Sequence, residues 1–144
     1  MHILRGHEGA VYSVQFSADC KTVLTTGNDN IARMWHAASG KELLALRGHE
    51  DWVNSAQFSA DGKTVLTASL DKTARLWDAT TGKEWRTFCG HEKSVTSAQF
   101  SADGRTVLTA SYDKTARLWD VASGKELRTL RATARSFPPM ARPC

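Results

Sequence analysis

Residues 48–89 read GHEDWVNSAQFSADGKTVLTASLDKTARLWDATTGKEWRTFC, and residues 90–131 read GHEKSVTSAQFSADGRTVLTASYDKTARLWDVASGKELRTLR. The two stretches agree at 31 of 42 positions, and residues 6–47 agree with 48–89 at 23 of 42. Gly6-His7, Gly48-His49 and Gly90-His91 return every 42 residues, as do Trp35, Trp77 and Trp119. A fixed period of this length marks tandem copies of one supersecondary unit. Within the second copy, Trp52 to Phe58 mixes apolar and small polar residues, and Ser59-Ala60-Asp61-Gly62 makes a turn. Lys63 to Ser69 is a β-branched run closed by a tight Leu70-Asp71-Lys72 turn. Thr73 to Asp78 is a third run, Ala79 to Gly82 a second loop, and Lys83 to Cys89 a fourth run. Four short runs bounded by turns describe an antiparallel meander. No segment carries a sustained helical stripe, so the fold class is all-β.

Gly-His near the start of each unit, Asp in its second turn and, in the second and third units, Trp-Asp closing the third run resemble the WD-repeat β-propeller family, over residues 1 to about 131. The resemblance implies three four-stranded antiparallel blades packed radially, and a role as a protein-interaction platform. It also implies that the strand before each Gly-His is the outermost strand of the preceding blade. Complete blades are then expected at about 10–47, 52–89 and 94–131. Ile3-Leu4-Arg5, which aligns with Ala45-Leu46-Arg47, is left as the outer strand of an absent blade.

Propellers typically hold four to eight blades, so three leave two apolar faces open. Two expectations follow. The chain is a truncated piece of a longer array, with further repeats and, by the resemblance, a regulatory or sensor role in a larger kinase- or NTPase-linked protein. Alternatively, two chains close a six-bladed ring as a homodimer. The first is preferred, because Ala132-Thr133 stands where a fourth Gly-His is due. The segment 132–144 has no strand pattern and a Pro138-Pro139 break, and is expected to be a disordered tail.

His49, Ser69 and Asp71 recur as His91, Ser111 and Asp113, the residue types of a hydrolase triad. A triad is defined by geometry, and a separate copy in each blade argues for structure instead. The resemblance implies a buried hydrogen-bond chain of His, Ser, Asp and Trp: His49, Ser69, Asp71 and Trp77 in the second unit, and His91, Ser111, Asp113 and Trp119 in the third. The first unit keeps His7, Asp29 and Trp35 but has Gly27 in place of the serine and His36 in place of the Asp after Trp. Blade one is therefore expected to lack the central hydroxyl and to be the least stable. No catalytic residue, cofactor or metal is expected. His7, His49 and His91 come from separate units and cannot converge at the ~2 Å distances zinc requires.

The second and third units differ at only 11 positions, and four of these fall on two short segments. Asp51 faces Lys93, Trp52 faces Ser94, Asn54 faces Thr96, and Leu70 faces Tyr112. Core positions do not reverse charge or exchange an indole for a hydroxyl without cavity costs. Loops on a rigid scaffold do, and they carry binding residues. In WD-repeat propellers both segments open onto one rim. The candidate binding face is Ala10, Tyr12, Asn28, Trp52, Asn54, Leu70, Ser94, Thr96 and Tyr112, three of them aromatic and of the kind that dominates interfaces. The expected partner is a protein or peptide.

The net charge of +4 does not point to nucleic acid. Arg131, Arg135 and Arg142 supply +3 of it, and the body mixes both signs instead of concentrating one. Any nucleic-acid binding is expected to be weak and to reside in that Arg-bearing tail. No run of about 18 apolar residues is present, which excludes a spanning helix. With no signal-peptide pattern and three unpatterned cysteines (Cys20, Cys89 and Cys144), the expected compartment is the cytoplasm.

Overall fold

The computed structural model describes residues 2–131. The expected tail at 132–144 lies outside the described residues. Twelve strands form three four-stranded antiparallel sheets, each in chain order. The first sheet holds β1 (Val11–Phe16), β2 (Thr22–Gly27), β3 (Ala32–His36) and β4 (Glu42–Leu46). The second holds β5 (Val53–Phe58), β6 (Thr64–Ser69), β7 (Ala74–Asp78) and β8 (Glu84–Phe88). The third holds β9 (Val95–Phe100), β10 (Thr106–Ser111), β11 (Thr115–Asp120) and β12 (Glu126–Arg131). Each sheet is one blade, and β1, β5 and β9 are successive neighbours on the inner side. Ile3-Leu4-Arg5, expected as a leftover outer strand, pairs with nothing and is irregular.

Strand alternation sends the two faces of each blade in opposite directions, so the core lies between blades. Leu24, Ala32, Met34 and Leu46 of blade one pack on Val65 and Trp77 of blade two. Leu66, Ala74, Leu76 and Phe88 of blade two pack in the same way on Val107 and Trp119 of blade three.

The Gly-His pair has a steric cause. Gly48 and Gly90 hold φ of +154° and +150°, and the tryptophan of the blade they abut closes over them. A Cβ on Gly48 would stand 3.1 Å from Trp77 Cη2, and one on Gly90 only 2.9 Å from Arg117 Nη1. Glycine is what lets the chain pass the indole edge and deliver the histidine beneath it.

Each first strand departs from regular pairing near its start. Val11 pairs with Gly27 and Ser13 with Thr26, leaving Tyr12 as the extra residue of a bulge. Val53 and Ser55 straddle Asn54 in the same way, and Val95 and Ser97 straddle Thr96. Bulges re-aim the unpaired side chain, and here they do so at the same corner of all three blades. A second bulge before each tryptophan makes Leu43, Trp85 and Leu127 the unpaired residues of β4, β8 and β12. All three are exposed, which accounts for their divergence among the units.

Candidate functional site: a buried relay and a rim groove

In blade two, Trp77 Nε1–H donates to Thr67 Oγ1 at 2.9 Å. An indole nitrogen can only donate, so the hydroxyl accepts and turns its own hydrogen to His49 Nε2, 2.6 Å away. Nδ1 of His49 then carries the proton and donates to Asp71 Oδ2 at 2.7 Å. Asp71 also accepts the Glu50 and Thr73 N–H groups and the Thr73 hydroxyl. Burial pushes its pKa up, but the hydrogen bonds from His49 and Thr73 outweigh it and hold the carboxyl well below the usual carboxylate range. Arg75 links the carboxylate onward to Glu84. Blade three repeats the arrangement with Trp119, Thr109, His91, Asp113 and Arg117.

The hydroxyl in this relay is threonine, not the serine expected from the resemblance. Ser69 Oγ instead donates to the Asp51 carbonyl and accepts the Asp71 N–H, and Ser111 does the same with Lys93 and Asp113. The reason is position along the strand. Thr67 lies opposite Arg75, beside the indole, whereas Ser69 is the last residue of β6, at the turn. With the hydroxyl tied to backbone at that turn, His49, Ser69 and Asp71 do not have the order of a hydrolase triad.

Blade one therefore does not lack the central hydroxyl. Thr25 receives Trp35 Nε1–H at 2.8 Å and meets His7 Nε2 at 2.7 Å. Its relay is thinner for two other reasons. Gly27 offers Asp29 no hydroxyl, and Ile31 stands where Thr73 and Thr115 bond both the carboxylate and the arginine Nε. Arg33 Nε is accordingly buried without a partner. Cys20 also adopts φ of +60° where Gly62 and Gly104 hold the same turn without strain. Native-state hydrogen exchange is expected to show Leu24 and Met34 amides less protected than those of Leu66 and Leu76. Equal protection would contradict a weaker first blade.

On the rim, the residue after each second strand bonds back to the loop before the first. Asn28 N–H donates to the Ala10 carbonyl, Leu70 to Trp52 and Tyr112 to Ser94, at 2.9–3.2 Å. The two divergent segments of each blade are thus stitched together. Tyr12, Trp52, Asn54, Leu70, Ser94, Thr96 and Tyr112 line one open concavity of about 480 Å³ spanning the three blades. Tyr12 and Trp52 stack at a tilt, ring centres 5.6 Å apart. Asn54 donates across the blade boundary to the Val95 carbonyl at 2.8 Å, and within blade three Thr96 donates to the Ala110 carbonyl at 3.2 Å. Both donors are thus engaged within the protein, and beside them the rings of Tyr12, Trp52 and Tyr112 are exposed. Ala10 and Asn28 are not among the lining residues, and the Asn28 side chain lies over Gly9. Among the described residues, no three His, Cys, Asp or Glu side chains are grouped to hold a metal ion, and no helix is long and apolar enough to cross a membrane.

No curated protein matches the chain. The family model for the WD domain, G-beta repeat, matches it three times, over residues 1–36, 40–78 and 82–120. Each match ends at the residue after a relay tryptophan, and the three together take in most of the sequence. With three four-stranded blades and a Trp–Thr–His–Asp relay in each, this chain belongs to the WD40 repeat family.

Proposed function

We propose that the chain is a non-enzymatic, cytoplasmic protein–protein interaction scaffold that receives a peptide or a protruding loop in the rim groove. WD40 repeats are generally protein-interaction scaffolds. One observation carries the finer reading. Seven of the nine rim positions singled out by their divergence among near-identical units line a single concavity, and three of the seven are Tyr or Trp. Side chains of that kind bury large rigid surface at little entropic cost and dominate interface energetics. Three of the seven, Tyr12, Asn54 and Thr96, are the bulge residues, held in place by backbone and free to differ without disturbing the sheet.

Peptides selected from a displayed library on the full chain provide the probe. The triple variant Tyr12→Ala, Trp52→Ala, Tyr112→Ala is expected to bind them at least thirtyfold more weakly, corresponding to about 2 kcal/mol. Trp85→Ala, an exposed indole on β8, is expected to change affinity little. Selected peptides that bind the triple variant as tightly as the parent chain would overturn the groove as the binding face.

A further inference from the structure

No Lys, Arg, Asp or Glu is among the residues that line the rim groove. Three aromatic rings are, Tyr12 and Trp52 each 42% exposed and Tyr112 70% exposed. The face of an aromatic ring is the negative end of its quadrupole, so three exposed rings in one concavity make its wall electron-rich. The polar lining has the same sense. Ser94 Oγ donates to the Leu70 carbonyl at 3.4 Å, Thr96 Oγ1 to the Ala110 carbonyl and Asn54 Nδ2 to the Val95 carbonyl. With both hydroxyl hydrogens turned to the backbone, those two oxygens have only lone pairs left to offer, and the Asn54 side-chain oxygen can only accept. An anion would meet no positive charge in the lining, and no donors beyond an Asn54 N–H, the Trp52 indole N–H and the two phenol hydroxyls.

The charges around the groove do not repel a cation either. The loops leading into the first strands carry Glu8, Glu50, Asp51 and Glu92 against Lys93, and the turns beyond carry Lys72 and Lys114. Asp51 Oδ1 accepts the Trp52 N–H at 2.8 Å, which holds a carboxylate at the backbone of that indole. Away from the rim, the protein shows what an exposed indole takes up. Arg86 lies over the Trp85 ring, Cζ 5.7 Å from the centroid. Among the described residues, no cation lies over Tyr12, Trp52 or Tyr112 in this way.

A guanidinium suits this lining better than an ammonium does. It is the more weakly hydrated ion, so a site with no carboxylate in its wall costs it less desolvation. Its flat face stacks on aromatic rings while its in-plane N–H groups reach acceptors at the side. A quaternary ammonium has no donor with which to use those oxygens. We propose that the groove anchors an arginine side chain of the bound peptide, its guanidinium against the aromatic rings and its N–H groups on the Asn54, Ser94 and Thr96 oxygens. The anchor rests on the reading of the rim groove as the binding face.

The test titrates the full chain with the peptide acetyl-Gly-Gly-Arg-Gly-Gly-amide and with its citrulline counterpart, which has nearly the same shape and no charge. Ring signals of the groove aromatics, followed by NMR, report binding. The arginine peptide is expected to shift them saturably and to bind about tenfold more tightly than the citrulline peptide. Trp52→Leu keeps apolar bulk on the rim without a ring, and is expected to cut that preference about threefold while melting at the parent's temperature. Equal binding of the citrulline peptide would overturn the anchor, as would a lysine or trimethyl-lysine peptide that binds as tightly as the arginine one. Library-selected peptides that need the three rings but carry no arginine would also refute it, and would leave the groove standing as the binding face. An arginine peptide that binds the triple variant Tyr12→Ala, Trp52→Ala, Tyr112→Ala as tightly as the parent chain would sink the anchor, and selected peptides that do so would sink the groove as well.

Discussion

Thr67→Val is expected to destabilise the protein by about 2–5 kcal/mol, because the isosteric change removes one hydroxyl and orphans two buried groups at once. Trp77 Nε1–H loses its acceptor and His49 Nε2 its donor, and both residues are buried, Trp77 being 1% exposed. The cost is large beside the roughly 5–15 kcal/mol that holds a typical domain folded. Ser69→Ala is expected to cost only about 1 kcal/mol. Its hydroxyl bridges the Asp51 carbonyl and the Asp71 N–H at a turn, near the surface. Urea denaturation of the two variants checks the ranking, and exchange of the Trp77 indole proton reports the broken bond directly. Thr25→Val should behave like Thr67→Val, since blade one uses the same hydroxyl. A serine variant as damaging as the threonine variant would return the central role to Ser69.

Asp71→Asn is expected to cost about 3–5 kcal/mol at neutral pH, the range for leaving one partner of a buried ionic pair uncompensated. The carboxylate accepts from His49, Glu50 and Arg75 at Oδ2 and from Thr73 at Oδ1, and an amide keeps only one accepting oxygen for these two sets of donors. The same geometry sets the acid response. Burial alone would raise the pKa of Asp71; the His49 and Thr73 hydrogen bonds reverse that and depress it in the folded state. A depressed folded pKa contributes stability that is fully present above the unfolded value of 3.8 and is lost as pH falls through the folded value. Asp113 behaves alike, burial being outweighed by hydrogen bonds from Thr115 and His91. The parent chain should therefore keep its stability down to about pH 4 and lose it below. In Asp71→Asn the loss below that pH should be shallower, because one of the titrating carboxyls is gone. Thermal melts from neutral pH to about pH 3 make the comparison, and parallel acid limbs would contradict the assignment.

The 42-residue period, the four β runs in each unit and the positions of the turns were all legible in the chain. Local pattern suffices for these, because strand alternation and turn chemistry are properties of a few neighbouring residues. The set of divergent positions was also legible, through an unusual route. Three near-identical units served as internal comparisons, and the positions free to change were those off the shared core.

The relay hydroxyl was misread, although a signal existed. Thr25, Thr67 and Thr109 are the same residue in all three units, whereas Ser69 and Ser111 give way to Gly27. Which of two hydroxyls, two residues apart on one strand, lies under an indole depends on how β6 and β7 are registered and on where β6 ends. Sequence spacing carries neither. Ala10 and Asn28 were named with the candidate binding face from sequence position, and the structure leaves them outside the lining of the concavity. Only the folded chain shows the Asn28 side chain lying over Gly9, with its N–H bonded to the Ala10 carbonyl. The bulges at Tyr12, Asn54 and Thr96 likewise arise from pairing between strands.

By itself, then, the sequence determined the repeat, the all-β blades, the glycine-histidine and tryptophan anchors and the set of positions that diverge. Tertiary structure alone decided which threonine completes each relay and which rim residues share one concavity. The division has one physical cause. Periodicity is written along the chain, whereas hydrogen-bond partners and open surfaces exist only between segments that pairing brings together.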